Sequence, residues 1–228
     1  KSTKKNIGES WEISDVEENM SVVNNGQLKG KTLKELIRIY TSDLVGEKVY
    51  KRFRESFPLL IKFIDAKEAL SIQLHPNDDL AKERHDSFGK TEMWYVMDAD
   101  TDAELIVGFN KEVSKEEYAQ SLENDLLQDL LNYEKVKEGD TFFINTGKIH
   151  AIGAGVLLAE IQQTSDITYR VFDFNRKDKD GNLRELHTEQ ALDAIDYKQK
   201  DDFKVDYSKT KGVVNTMVDC PYFKTNFL

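Results

Sequence analysis

The sequence predicts a mainly-β protein, a barrel or sandwich carrying added helices, and three observations support this. Short runs rich in β-branched and aromatic residues recur along the 228 residues, turns containing Gly or Asp separate them, and one leucine-rich stretch at helical spacing interrupts them. No internal repeat, low-complexity tract or proline-rich linker divides the chain. A single domain over residues 1–228 is therefore expected, with a helical insertion at about 112–133.

The elements follow in order. ESWEIS (9–14) reads as a short strand. KTLKELIRIY (31–40) places Leu33, Leu36, Ile37 and Tyr40 on one helical face, with Thr32 able to cap it. FPLLIKFID (57–65) is a buried strand, and EALSIQLHP a second strand that Pro76 ends. DDLAKERHDSF is polar and helical. KTEMWYVMDAD and AELIVGF, joined by an acidic turn, predict a hairpin. Ser114 followed by Glu117 is a capping-box pattern, opening a helix with Leu122, Leu126, Leu127, Leu130 and Leu131 and a break near Asn124. Strand and turn return in YEKVKEGDTFFINTGKIHAIG, GVLLAEIQQ and ITYRVFDF. RKDKDGNLRE and KQKDDFKVD are solvated charged turns, and ELHTEQALDAI is a short helix. The chain opens on Lys1 without methionine and closes on PYFKTNFL, a strand wanting a partner, so a truncated chain is expected.

Bulk properties narrow the function. A hydrophobic share of 39% with twelve Phe and nine Tyr is too high for disorder. A net charge of -10 disfavours nucleic acid, whose phosphates need an excess of Lys and Arg on one face. It leaves room for a small phosphorylated substrate, which needs one or two placed cations. No apolar run reaches the roughly 20 residues that cross a bilayer, and no secretory signal pattern opens the chain. A single cysteine, Cys220, permits neither an internal disulfide nor a thiolate zinc site. The expected compartment is the cytoplasm, and any metal must use His, carboxylate or amide ligands.

Gln73 and His75 are two apart on an extended run and would share a face. Glu92 lies on the following strand and His150 just after a turn. Two imidazoles, a carboxylate and an amide oxygen suit zinc, with cobalt or manganese also compatible. Spacing alone equally fits ordinary alternation. His85 in KERHDS and His187 in RELHTE are expected to be exposed and not ligands.

The series GESWEIS, PLLIKFIDAKEALSIQLHP, GKTEMWYV, GDTFFINTGKIHAI, EIQQTSDITYRVFDFNR and GNLRELH closely resembles the type I mannose-6-phosphate isomerases in their short bacterial form, in the family's order and over essentially the whole chain. The resemblance implies a cupin-like β-barrel (jelly-roll) core with helical insertions, one zinc ion per chain, and interconversion of mannose 6-phosphate and fructose 6-phosphate. Residue by residue, it implies zinc ligands at Gln73, His75, Glu92 and His150, and catalytic groups at Arg170, Glu160 and Lys90. It also implies phosphate contacts at Ser71 and Arg176, although a lysine stands at the latter position in eukaryotic members. The sequence departs from the eukaryotic pattern after His150, where AIGAG lacks a nearby tyrosine. The family's upstream segment and C-terminal β-barrel domain are expected to lie outside this chain.

The chemistry fits these residue types. Moving a proton between adjacent carbons through an enediolate needs a base and cations that stabilise the developing oxyanion. Arg170 can supply paired donors, and Glu160 or Lys90 the base, a lysine only as its neutral amine. The structural alternatives are that Glu160 orients Arg170 and that Lys90 pairs with a carboxylate. Trp11, Trp94 and Tyr95 are expected in the core, and Glu12 could face the pocket or solvent. Two rival readings are a sugar-phosphate-binding cupin that keeps metal for stability and a metal-dependent oxygenase. Monomer and dimer are both compatible with the sequence.

Overall fold

The computed structural model describes residues 7–177, 180–198 and 203–228. In chain order the strands are β1 (Glu9–Ile13), β2 (Leu59–Ala66), β3 (Ile72–Leu74), β4 (Glu92–Ala99), β5 (Glu104–Phe109), β6 (Leu131–Lys135), β7 (Thr141–Ile144), β8 (His150–Ile152), β9 (Val156–Gln163), β10 (Tyr169–Phe172), β11 (Asn215–Asp219) and β12 (Lys224–Phe227). The helices are α1 (Leu33–Tyr40), α2 (Ser42–Val45), α3 (Glu47–Phe53), α4 (Asp78–His85), α5 (Lys115–Glu123) and α6 (Thr188–Ala194), with a 3-10 turn at Leu127–Leu130. One sheet runs β1-β2-β9-β4-β7 and the other β10-β3-β8-β5-β6, with antiparallel pairings throughout.

The two sheets face each other across Ile64, Trp94, Val96, Leu105, Val107, Phe142, Ile144, Ile152, Val156 and Leu158. Their outer faces are covered as well. Helix α5, the 3-10 turn and α6 pack Tyr118, Leu127, Leu130 and Ala191 against Leu74, Phe109, Tyr169 and Val171 of the second sheet. The β11–β12 hairpin lays Val218 and Phe223 on Met93 of the first. Four layers result, and burial on both faces explains why these strands read as continuous apolar runs.

Several expectations hold. Thr32 caps α1 in a reciprocal capping box with Glu35, Ser114 caps α5, and α5 stops at Asn124. The terminal strand wanting a partner is β12, and its partner is β11. Other expectations are corrected. The two runs expected to form a hairpin, β4 and β5, belong to different sheets. Trp94 and Val96 of one face Leu105 and Val107 of the other across the core, so the Asp100–Asp102 turn crosses between layers. An amphipathic pair separated by a short turn reads the same whether it pairs edge to edge or packs face to face. Leu131 begins β6 and does not continue the helix. The long second strand shrinks to Ile72–Leu74, and residues 42–53, unassigned from sequence, form α2 and α3. Both charged turns lie partly outside the described residues, at 178–179 and 199–202.

Register fixes where polarity enters the sandwich. Residues facing inward on β9 are Val156, Leu158, Glu160 and Gln162. Ile64–Leu158–Val96 is an apolar row, Lys62–Glu160–Trp94–Phe142 a mixed one, and Leu60–Gln162–Glu92–Ile144 the next. The opposing sheet carries the row Arg170–Gln73–His150–Val107. The interior is thus apolar at one end and polar at the other.

The turn before β8 holds this polar end in place. Gly147 donates its N–H to the His75 carbonyl at 2.8 Å and accepts from the Asp196 N–H at 2.9 Å. Its φ of +80° suits glycine, and a Cβ there would lie 2.5 Å from the Ala194 carbonyl oxygen. Gly147→Ala is expected to destabilise the fold by about 2 kcal/mol or more, read as a lowered urea midpoint at unchanged slope. A midpoint equal to wild type would show that this turn is free to rearrange.

Candidate metal centre and active site

Three ligand-type side chains converge between the sheets at the polar end. Glu92 comes from β4, His150 from β8, and His75 from the residue after β3, where Pro76 turns the chain away. All three are buried to within 1% exposure. His75 Nε2 lies 3.5 Å from Glu92 Oε2, and His150 Nε2 lies 3.4 Å from Glu92 Oε1. Each separation is close to the roughly 3.3 Å ligand–ligand edge around a zinc-sized ion bound at about 2.0–2.1 Å, and one ligand atom from each residue lies within 4.8 Å of the others.

The outer ring nitrogens fix the tautomers. His75 Nδ1 lies 2.9 Å from the Ile167 carbonyl, and His150 Nδ1 lies 2.8 Å from the Lys148 carbonyl. A carbonyl only accepts, so each Nδ1 carries its proton and each Nε2 turns a lone pair to the centre. Burial, the Lys90 charge and the second imidazole hold His75 well below its ordinary value. Burial pushes His150 down to about 4, with Lys90 adding to the effect and the Lys148 carbonyl opposing it. Both rings are neutral near pH 7, as metal ligation requires.

Glu92 is raised to about 7 by burial and by Glu160, against the opposing pull of Lys90 and Lys62. Among the described residues neither Nε2 nor either Glu92 oxygen has a hydrogen-bond partner, although Lys90 Nζ forms an ion pair with Glu92 Oε2 at 3.3 Å. Four inward-aimed buried atoms, of which only Glu92 Oε2 has a charged partner in Lys90, would be costly in a finished core. A divalent cation would satisfy all four, so the residues present fit a metal of the zinc class.

Gln73 sits opposite both His150 and Arg170 in register, and its Oε1 accepts from Ser71 Oγ at 3.4 Å. Arg170 donates from Nε to Ser71 Oγ at 3.3 Å and from Nη1 to the Glu185 carbonyl at 2.9 Å. Arg176 is tied to the Ala69 carbonyl and to Asp173. Lys90 is buried beside Glu92. Glu160 pairs with Lys62 (3.0 Å) and accepts from Trp94 Nε1–H (2.8 Å), and these, not Arg170, are its close partners among the described residues. Burial alone would raise Glu160, but Lys90, Lys62 and the Trp94 bond outweigh it and hold it down to about 2.

His85 is exposed, as expected, and bonds to the Tyr169 hydroxyl. His187 is half-buried and not exposed, since its Nδ1 accepts the Arg170 backbone N–H at 3.2 Å, tethering β10. Trp94 is core, Trp11 lies under the Lys62 ammonium, and Glu12 is exposed and bonded to Ser10. Sequence reasoning missed two residues. Lys62 is buried against Glu160, and a lysine at an inward position of an apolar strand is itself a signal that a buried carboxylate lies opposite. Gln162 is fully buried opposite Glu92, donates to the Gln163 and Ser165 carbonyls, and leaves Oε1 unpartnered. Among the described residues, no helix is long and apolar enough to cross a membrane.

Comparison with known proteins finds phosphomannose isomerases. The family model for the catalytic domain of type I phosphomannose isomerase matches residues 2–111. The mannose-6-phosphate isomerase ManA of Bacillus subtilis is 40% identical over 219 residues, covering 95% of this chain and 68% of that protein. The mannose-6-phosphate isomerase of Streptococcus mutans is 41% identical, covering 95% and 67%. The solved mannose 6-phosphate isomerase from Bacillus subtilis superposes with a TM-score of 0.84 at 38% identity, over 95% of this chain and 68% of that one. The putative mannosephosphate isomerase from Archaeoglobus fulgidus, 24% identical over 92% and 66% of the two chains, shares the fold with a TM-score of 0.71.

Proposed function

This chain belongs to the type I phosphomannose isomerase family, and from that premise we propose that it interconverts mannose 6-phosphate and fructose 6-phosphate as a metal-dependent aldose–ketose isomerase. The observation that carries the reading is the buried triad His75, Glu92 and His150, whose four inward-facing ligand atoms lack hydrogen-bond partners among the described residues. We assign the ion as zinc, one per chain, with Gln73 as a fourth ligand; bound there, it supplies Lewis acidity to the sugar's oxygens.

The rest of the reaction falls to the chain's own groups. Isomerisation moves one proton between C1 and C2 and another between the two oxygens, with no external oxidant or reductant. Lys90, buried beside Glu92, is the group we assign to moving the carbon-bound proton. Glu160, a weak base when held ionised by its lysines, fixes Lys62 and Trp94 and sets the local field. Arg170 presents planar donors to the oxygens of the enediolate. Ser71 and the arginines gathered around Asp173, Arg176 among them, receive the phosphate. A phosphorylated sugar as substrate and a single cysteine fit a cytoplasmic enzyme.

The test is turnover of mannose 6-phosphate in deuterium oxide by the zinc-loaded protein. Fructose 6-phosphate should form with deuterium on carbon. Saturable binding of the sugar with neither conversion nor exchange would instead establish the non-catalytic cupin.

A further inference from the structure

The second sheet ends in a concentration of positive charge. Arg170, Arg176 and Arg184 gather around Asp173, whose carboxylate is 5% exposed. Arg176 is committed within the protein: Nε and Nη2 go to Asp173 and Nη1 to the Ala69 carbonyl. Arg170 is braced on Ser71 Oγ and the Glu185 carbonyl. Arg184 differs from both. Its one ion pair among the described residues is a long one, Nη1 to Asp173 Oδ1 at 3.6 Å, and its side chain is 48% exposed. After burial, Arg184 is the strongest influence lowering the Arg170 pKa; Arg176 adds to it, and Asp173 and Glu185 oppose it. Three like charges are thus held together against two carboxylates.

Such an arrangement raises the energy of the empty protein and is relieved by an anion. Its position relative to the metal centre is fixed by register. Arg170, Gln73 and His150 are successive members of one cross-strand row, so the backbone of Arg170, the cluster's member in that row, lies two strand spacings, about 10 Å, from that of His150. An extended six-carbon sugar phosphate has a comparable length from carbonyl to phosphorus. We propose that Arg184 is a phosphate-contacting specificity residue, swinging from its long contact with Asp173 to close on the substrate phosphate beside Ser71, while Arg176 serves mainly to anchor Asp173 and the Ala69 carbonyl. This deepens the isomerase reading and rests on it for the identity of the phosphate's bearer.

The experiment uses the zinc-loaded full chain with Arg184→Gln, Arg184→Lys and, as a distant control, Lys111→Gln, whose partner is Glu117 on the surface. Arg184→Gln is expected to raise KM for mannose 6-phosphate about tenfold or more with kcat within about twofold, and to weaken calorimetric binding of inorganic phosphate by a similar factor. Arg184→Lys recovers part of both, and Lys111→Gln changes neither. KM and phosphate affinity unchanged in Arg184→Gln would overturn the proposal, as would a fall in kcat at constant KM or a wild-type protein that binds no phosphate. Should the wild type fail to isomerise mannose 6-phosphate, the isomerase reading falls. Phosphate calorimetry alone then decides the role of Arg184.

Discussion

Glu92→Ala is expected to remove stoichiometric metal and to lower isomerisation by about a thousandfold or more. Glu92 is the only carboxylate of the triad and places one oxygen near each imidazole, so its loss leaves two neutral ligands and Gln73. Elemental analysis and a coupled assay read the two losses, and a variant that kept its metal and activity would defeat the assigned site. Glu92→Gln separates metal chemistry from folding. The folded metal-free protein raises Glu92 from 4.5 to about 7. Its carboxyl therefore favours folding below pH 4.5, and that contribution is lost as pH rises toward 7. An amide has no such dependence. The stability of Glu92→Gln relative to metal-free wild type should grow between pH 4.5 and 7 and level off above. A difference that is flat with pH would show that Glu92 is better solvated than its burial implies.

The second large effect concerns Lys62 and Glu160. Lys62→Met leaves the buried Glu160 carboxylate with Lys90 and the Trp94 N–H but without its 3.0 Å partner. Removing one member of a buried pair costs about 3 kcal/mol. Lys62→Met/Glu160→Leu should recover more than half of that, because the stranded charge is gone. A urea-denaturation double-mutant cycle checks it, and additive single effects would mean that the pair is not coupled. The acid limb gives a second readout. Glu160 is held down to about 2, so its contribution is present above 4.5 and lost as pH falls through the folded value. Without Lys62 the folded value moves back toward 4.5, so the stability that Glu160 loses on acidification should shrink. Activity should fall too, since Lys62 and Trp94 together hold Glu160 in place.

Much of this site was legible as residue types. Gln73, His75, Glu92 and His150 stood out because so few histidines were available and because alternation put Gln73 and His75 on one face. Lys62 was readable in principle, as a charge inside LLIKFID, but an amphipathic edge strand gives the same text. Gln162 carried no signal, since its meaning depends on lying across the sheet from Glu92. Arg184 sat in a charged stretch that reads as a solvated turn, and only its approach to Asp173 and Arg170 distinguishes it.

The sequence by itself determined the local elements, the capped helices and the side chains with metal-ligating chemistry. These rest on capping, alternation and side-chain chemistry, which act within a few residues. It did not determine that β4 and β5 lie in opposite layers, nor that the polar ends of the two sheets meet. Those depend on which apolar faces find each other across the core, a matter of packing between segments far apart in the chain. Tertiary structure alone brought a carboxylate from one sheet to within 3.5 Å of imidazoles held by the other. The same packing stripped water from all three, leaving lone pairs that a cation would satisfy.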